Sequence, residues 1–403
     1  MASVRALVPQ QEGELQMIVV KNAQVYTESE IIPEARVVIR DGLIEQIVAK
    51  DGLAEDIPPQ AQVIDAKHEY VIPGFIDTHI HGAAGADVMD AMPDALQTMA
   101  EFLPKEGTTA FLATTITQAT EKIEQALRNI ANFKSKPGKS EVIGVHLEGP
   151  FVEKTKAGAQ PVEYIQKPDM GLFNRWQELA GNKIKMITLA PEHDPEGNFI
   201  RYLNETGVTV SAGHTDAGFS ELKRAVRQGV RQLTHLCNAM NGIHHRDIGA
   251  VGAALLLEEL HAELIADGIH VSDEMLQLVY HNMGSGRLTL ITDAMRAKGL
   301  PPGDYELGGQ PVKVTEDRAV LADGTLAGSI LSMQEAVKKM FKLLDGIGIR
   351  DIIQMASVNP AKQASVYDRK GSITVGKDAD LLIVDAELNI KYTICRGIIA
   401  HIG

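Results

Sequence analysis

Short apolar runs alternate with amphipathic stretches through the middle of the chain, and that alternation leaves few folds open. Eight runs read as strands, at residues 70–78, 108–115, 142–147, 185–189, 208–212, 232–236, 262–266 and 288–292. Helical periodicity lies between several of them, as at 93–105, 120–133 and 218–228. Eight strand–helix units predict a (β/α)8 TIM-type barrel, although a doubly wound sheet alternates in a similar way. Such a barrel absorbs about 250 residues. The chain has 403, so a second, smaller unit is expected beside it.

The two chain ends supply that unit. Runs rich in valine and isoleucine occupy 17–20, 35–39, 43–48 and 62–65, with Asp41-Gly42 as a hairpin signal between the second and third. Runs at 381–385 and 390–395 have the same character. Residues 17–72 and 370–403 are therefore expected to build one β-sandwich, with the barrel, 73–369, inserted between its halves. The polar stretch 1–16 lacks the basic region and apolar core of a secretory signal and is expected to be a loose leader or tag.

Composition removes several function classes. A formal charge of -14 disfavours nucleic acid and anionic membranes as partners, since both need a positive surface. No apolar run reaches the roughly 20 residues that span a bilayer. Cys237 and Cys395 make no disulfide framework, which fits a reducing cytoplasm as the expected location. A phosphorylated small molecule stays open as substrate, provided that individual cations can be found to hold it.

Polar residues cluster where the strands end. Residues 73–82 read Pro-Gly-Phe-Ile-Asp-Thr-His-Ile-His-Gly, and the one-residue spacing of His79 and His81 lets two imidazoles at a strand end converge on one ion. By itself such a pair is more often solvated or structural. Here Glu148 follows the third strand, His214 the fifth, His235 the sixth and Asp293 the eighth. All lie at C-terminal ends, where the active sites of this barrel are built. Imidazoles with a carboxylate suit Zn²⁺, Fe²⁺ or a similar divalent ion, and Asp293 is placed to carry protons. Blander roles exist: Glu148 as a strand terminator, and Thr215 or Asp216 as the cap of a helix starting near Gly218. His68, His193, His261, His281 and His401 read as structural or solvated.

Taken with the first motif, His-Leu-Glu-Gly-Pro-Phe (146–151), Ser-Ala-Gly-His-Thr (211–215), Thr-His-Leu-Cys-Asn-Ala-Met (234–240), Ala-Asp-Gly-Ile-His (266–270), Thr-Asp-Ala-Met (292–295) and Asp-Gly-Thr-Leu-Ala-Gly-Ser (323–329) resemble the N-acetylglucosamine-6-phosphate deacetylase family of the amidohydrolase superfamily. The resemblance runs from about Met17 to the C-terminus. It implies metal-dependent hydrolysis of N-acetylglucosamine 6-phosphate to glucosamine 6-phosphate and acetate, in amino-sugar catabolism and cell-wall recycling. It further implies that Glu148, His214 and His235 are the main metal ligands, that His79 and His81 serve an additional site, and that Asp293 is the catalytic acid/base. Asn238 and Ala239 would hold the sugar and His270 its phosphate. Arg246 would reach a phosphate across a homodimer interface. The implied cofactor is Zn²⁺ or Fe²⁺, with Co²⁺ or Mn²⁺ acceptable, at one or two ions per subunit.

One position departs from the family. Where many members place a carbonyl-polarising histidine, this chain has Gln160, whose amide donates only a neutral hydrogen bond. Either Gln160 orients the substrate amide alone, or a second ion takes over the electrophilic role. Cyclic-amide hydrolases of the dihydroorotase or hydantoinase type usually carry a metal-bridging lysine after the fourth strand. Residues 188–192, Thr-Leu-Ala-Pro-Glu, hold none. A barrel kept only as a scaffold would have no need of the six donors His79, His81, Glu148, His214, His235 and Asp293.

Overall fold

Eight parallel strands stand side by side in sequence order: Phe75–Ile80, Thr108–Thr115, Glu141–Glu148, Ile184–Leu189, Thr209–Ala212, Gln232–Leu233, His261–Ile265 and Leu288–Ile291. The computed structural model describes residues 17–50 and 57–403; the expected leader at 1–16 lies outside the described residues. The ring closes between its first and last members. Ile80 bridges Ala294, and the Asp293 N–H donates to the His79 carbonyl at 2.8 Å. Below that seam the buried Asp77 carboxylate accepts from the Thr292 hydroxyl at 2.5 Å and from the backbone N–H groups of Thr292 and His79 at 3.3 and 3.2 Å. The architecture is the expected (β/α)8 barrel.

A helix follows each strand: Pro93–Phe102, Thr120–Asn132, Met170–Leu179, Asn198–Glu205, Phe219–Gln228, Gly249–Leu256, Asp273–Met283 and Met333–Leu343. Helices cover the outside and neighbours fill the inside, so Thr108–Thr115 is buried along its whole length. The helices bury one stripe each, as with Ile123, Ala126, Leu127 and Ile130 in the second.

The chain ends build a second, mostly antiparallel sheet from Met17–Tyr26, Ile31–Arg40, Leu43–Val48, Gln62–Asp65, Tyr70–Pro73, Leu381–Val384, Ile390–Cys395 and Ile398–Ile402. Asp41 and Gly42 both have positive φ, 51° and 82°, as a two-residue hairpin turn requires. The run expected as one strand at 70–78 is in fact two. Tyr70–Pro73 pairs with Leu381–Val384 in the terminal sheet, whereas Phe75–Ile80 pairs with Thr108–Thr115 in the barrel. Gly74 is the crossing point: a Cβ there would come within 2.2 Å of Thr109 Oγ1.

A feature absent from the sequence reading sits between the eighth strand and its helix. Gly303–Leu307, Gln310–Val314 and Ala319–Val320 form a small antiparallel sheet. Its Leu307, Val312, Val314 and Ala319 pack on Ile116, Met295, Ala297 and Ala327, so the sheet lies over the barrel mouth. Among the described residues no helix is long and apolar enough to cross a membrane.

Candidate metal centre

His79 is the penultimate residue of the first barrel strand and His81 follows its end. Glu148 is the last residue of the third strand, and His214, His235 and Asp293 each lie two residues past the fifth, sixth and eighth. Those last three hold φ values of 47°, 33° and 48°. Left-handed backbone at non-glycine residues is strained, and its clustering at one mouth marks a functional region. Neighbouring amides brace it: the Glu153 N–H donates to the His214 carbonyl at 2.8 Å and the Ser329 N–H to the Asp293 carbonyl at 2.7 Å.

Three groups of donors result among the described residues: Glu148 with His214 and His235, His79 with His81 and Asp293, and His79 with His146 and Glu263, the last taken up by hydrogen bonds within the protein. In the first, Glu148 Oε1 lies 3.2 Å from His214 Nε2 and 3.3 Å from His235 Nε2, and the two nitrogens are 3.0 Å apart. A tetrahedral ion with bonds of about 2.0–2.1 Å separates its ligands by about 3.3 Å, so the triangle fits one. The tautomer fits too. His214 Nδ1 faces the Lys156 carbonyl at 2.9 Å, and a carbonyl only accepts. Nδ1 therefore carries the proton and Nε2 presents a lone pair.

In the second group His81 Nε2 and His79 Nε2 lie 3.3 and 3.5 Å from Asp293 Oδ1. His79 Nε2 is buried without a hydrogen bond among the described residues, an atom that a cation would satisfy. Glu148 sits between the groups, its Oε2 3.4 Å from His81 Nε2.

The electrostatics ask for positive charge. Burial pushes the Asp293 carboxyl up, but His79 and His81 outweigh it and hold it at about 2. Glu148 is likewise held well below the usual carboxylate range by His79, His214 and His235 against burial. Burial depresses the His81 imidazole, but Asp293 and Glu148 raise it to about 9. Bare, the cluster attracts protons; a divalent cation supplies the same charge and displaces them.

Gln160 is committed before any ligand arrives. Its Nε2 donates to Glu148 Oε2 at 2.7 Å and its Oε1 accepts the Thr117 N–H at 2.9 Å, leaving one N–H. Neither Thr215 nor Asp216 caps the helix Phe219–Gln228, contrary to the bland reading. The Thr215 hydroxyl and the Asp216 N–H both donate to Glu192, and Glu221 reaches back to the Gly218 N–H instead.

A cavity of about 270 Å³ is lined by His81, Glu148, Gln160, His214, His235 and Asp293, and also by Asn238, Ala239 and His270. His270 Nδ1 contacts Asp267 Oδ2 at 2.6 Å, which orients its ring. Arg246 lies outside this cavity, exposed beside His245 at 2.7 Å.

Two further residues shape the site without a role assigned from sequence. Glu263, fully buried in the seventh strand, accepts from His79 Nδ1 at 2.9 Å and from Gln232 Nε2 at 3.0 Å. A lone acid in an otherwise apolar barrel strand was the available signal. His146 uses both ring nitrogens on Thr78 and Thr188, and burial and then His79 push it well below the ordinary histidine value. It is a neutral spacer and no ligand.

The amidohydrolase family model matches residues 70–400. The chain belongs to the amidohydrolase family. The N-acetylglucosamine-6-phosphate deacetylase of Bacillus subtilis (strain 168) is 46% identical over 393 residues, 96% of this chain and 98% of that protein. The N-acetylgalactosamine-6-phosphate deacetylase of Escherichia coli O157:H7 is 35% identical, covering 95% of this chain and 99% of its own. The crystal structure of N-acetylglucosamine-6-phosphate deacetylase from Pasteurella multocida matches with a TM-score of 0.88 at 30% identity, over 96% of this chain and 100% of that one. The resemblance carried by the motifs therefore stands, and the chain is an enzyme of the amidohydrolase family. In an amidohydrolase these donor groups imply a divalent metal ion.

Proposed function

We propose that this amidohydrolase cleaves the acetamide of N-acetylglucosamine 6-phosphate, releasing acetate and glucosamine 6-phosphate, a step of amino-sugar catabolism and cell-wall recycling. One observation carries the reading: an acid/base carboxylate and two metal-competent donor groups meet in a cavity that also holds Asn238, Ala239 and His270. The curated relatives support the substrate class.

Glu148, His214 and His235 would hold the main ion, Zn²⁺ or Fe²⁺ with Co²⁺ or Mn²⁺ acceptable, and His79 and His81 with Asp293 would hold a second. When bound, such an ion acidifies a water and polarises the amide carbonyl. Asp293 takes the proton of the attacking water and returns it to the nitrogen of the leaving amine. The remaining N–H of Gln160 orients the carbonyl, while its other N–H keeps Glu148 in place. Asn238 and the Ala239 backbone hold the sugar. His270 binds the phosphate together with Arg246 of the neighbouring copy in a homodimer, which accounts for the position of Arg246 outside the cavity of its own subunit.

The 35% identical galactosamine relative favours one second reading, in which the C4 epimer is the preferred substrate. Acetate release from both epimers and from unphosphorylated N-acetylglucosamine tests the proposal. The gluco phosphate is expected to give the highest kcat/KM. Without the phosphate kcat/KM should fall roughly 100-fold or more, since two charged hydrogen bonds are lost. Equal turnover with and without phosphate would contradict the assignment of His270 and Arg246.

Glu263 is a positioning residue in this account, fixing the ring and tautomer of His79. Glu263→Gln keeps the shape and removes the charge. Affinity for the second ion is expected to fall about 10–100-fold, read as metal content after dialysis against a graded chelator, with the main ion retained. Unchanged content of both ions would sink that role.

A further inference from the structure

We propose that Ile116 and Leu307 form the pocket for the acyl methyl group and so limit this enzyme to the shortest acyl chains; the inference rests on the deacetylase reading above. The cavity lining mixes polar and apolar side chains. Asn238, Ala239 and His270 belong to it, with Ala239 3.9 Å and His214 Cε1 3.5 Å from the Cβ position of Gly158. Ile116 and Leu307 line it too, each only 2% exposed.

Contacts place these two beside the reacting groups. Ile116 precedes Thr117, whose N–H holds Gln160 at 2.9 Å. Leu307 Cδ2 lies 3.7 Å from the Cβ position of Gly328, and the Asp293 carbonyl is 2.9 Å from the same point. Gly308, next to Leu307, brings the pair together, with Ile116 Cδ1 3.3 Å from its Cβ position. An apolar corner therefore adjoins Gln160 and Asp293, where the amide must sit. A sugar hydroxyl buried there would lose its hydrogen bonds, whereas a methyl group loses nothing. The acyl end is the apolar end of such a substrate.

The corner has a fixed depth. Gln118 Nε2 donates to the Gly308 carbonyl at 3.1 Å and Gln310 Nε2 to the Ala159 carbonyl at 2.7 Å. These bonds tie the inserted sheet to the loops that carry Ile116 and Gln160. Behind Leu307, Val312, Val314 and Ala319 fill the space into which a longer chain would have to move.

The experiment compares kcat/KM for the N-acetyl, N-propionyl and N-butyryl forms of glucosamine 6-phosphate. Wild type is expected to disfavour each added methylene by about tenfold or more. Leu307→Ala and Ile116→Ala should each raise the propionyl-to-acetyl ratio by about tenfold. Ile116→Val, which spares the fold, should move the ratio the same way by a few-fold. No acetate from the acetyl substrate with wild type removes the deacetylase reading and this inference with it. Acetate release with a ratio that no folded variant moves, or wild type accepting butyryl as readily as acetyl, overturns the inference alone.

Discussion

Asp293→Asn is expected to lower kcat by about 10²–10⁴-fold while substrate still binds and the ion at Glu148, His214 and His235 stays in place. Asparagine has nearly the shape of aspartate and tolerates the left-handed φ of 48° at this position. The Ser329 N–H bond to the residue 293 carbonyl and the bond from its own N–H to His79 involve only backbone and survive the change. In the proposed mechanism the change removes the group that accepts a proton from water and delivers it to the amine, together with one of the three donors to the second ion. The loss should therefore fall on kcat, with KM nearly unchanged. Steady-state kinetics, metal analysis and calorimetric binding of the intact substrate to the variant check each part. A kcat within tenfold of wild type would show that another group moves the protons.

The second large effect concerns His79 and His81. Gln160 spends one of its two N–H groups on Glu148, so little is left in the chain itself to polarise the carbonyl. If the second donor group supplies that polarisation, replacing both histidines with alanine should lower kcat by about 10²–10³-fold, the loss seen when an electrophilic donor is removed. Metal content should fall by one ion per subunit. His79→Ala also leaves the buried Glu263 with only Gln232 of its two hydrogen-bond partners, so His81→Asn is measured beside the double variant, together with thermal unfolding of each. A double variant that folds, binds one ion and turns over within a few-fold of wild type would reduce the second group to a structural role.

Much of the barrel was legible because its strands are buried on both faces and read as short runs of apolar and β-branched residues; Thr108–Thr115 has the bounds that its pattern predicts. The break at Gly74 was not legible for the same reason. Residues 70–78 read as one run even across Pro73-Gly74, and which sheet each half joins depends on partners more than 30 residues away in one case and 300 in the other. The inserted sheet was hidden because Gly303–Leu307 and Gln310–Val314 carry exposed polar residues and bury only a few side chains each.

The donors stood out because each lies at or just past the C-terminal end of a strand, a position that the order of elements fixes before any contact is known. Glu263 did not, since its meaning comes from a histidine 184 residues distant. The expected cap lies elsewhere: Gly218 takes the N-cap position with Glu221 reaching back to its N–H, while the Thr215 hydroxyl oxygen accepts the Ala217 N–H before the helix begins.

The most direct test of the account is acetate release from N-acetylglucosamine 6-phosphate by protein stripped with a chelator, then titrated with Zn²⁺ or Fe²⁺. Stripped protein is expected to be inactive. Activity should return as the site formed by Glu148, His214 and His235 fills, and should stay low when Glu148→Gln is titrated in the same way. Full turnover by protein shown to be free of metal, or metal uptake at that site with no acetate released, would contradict it.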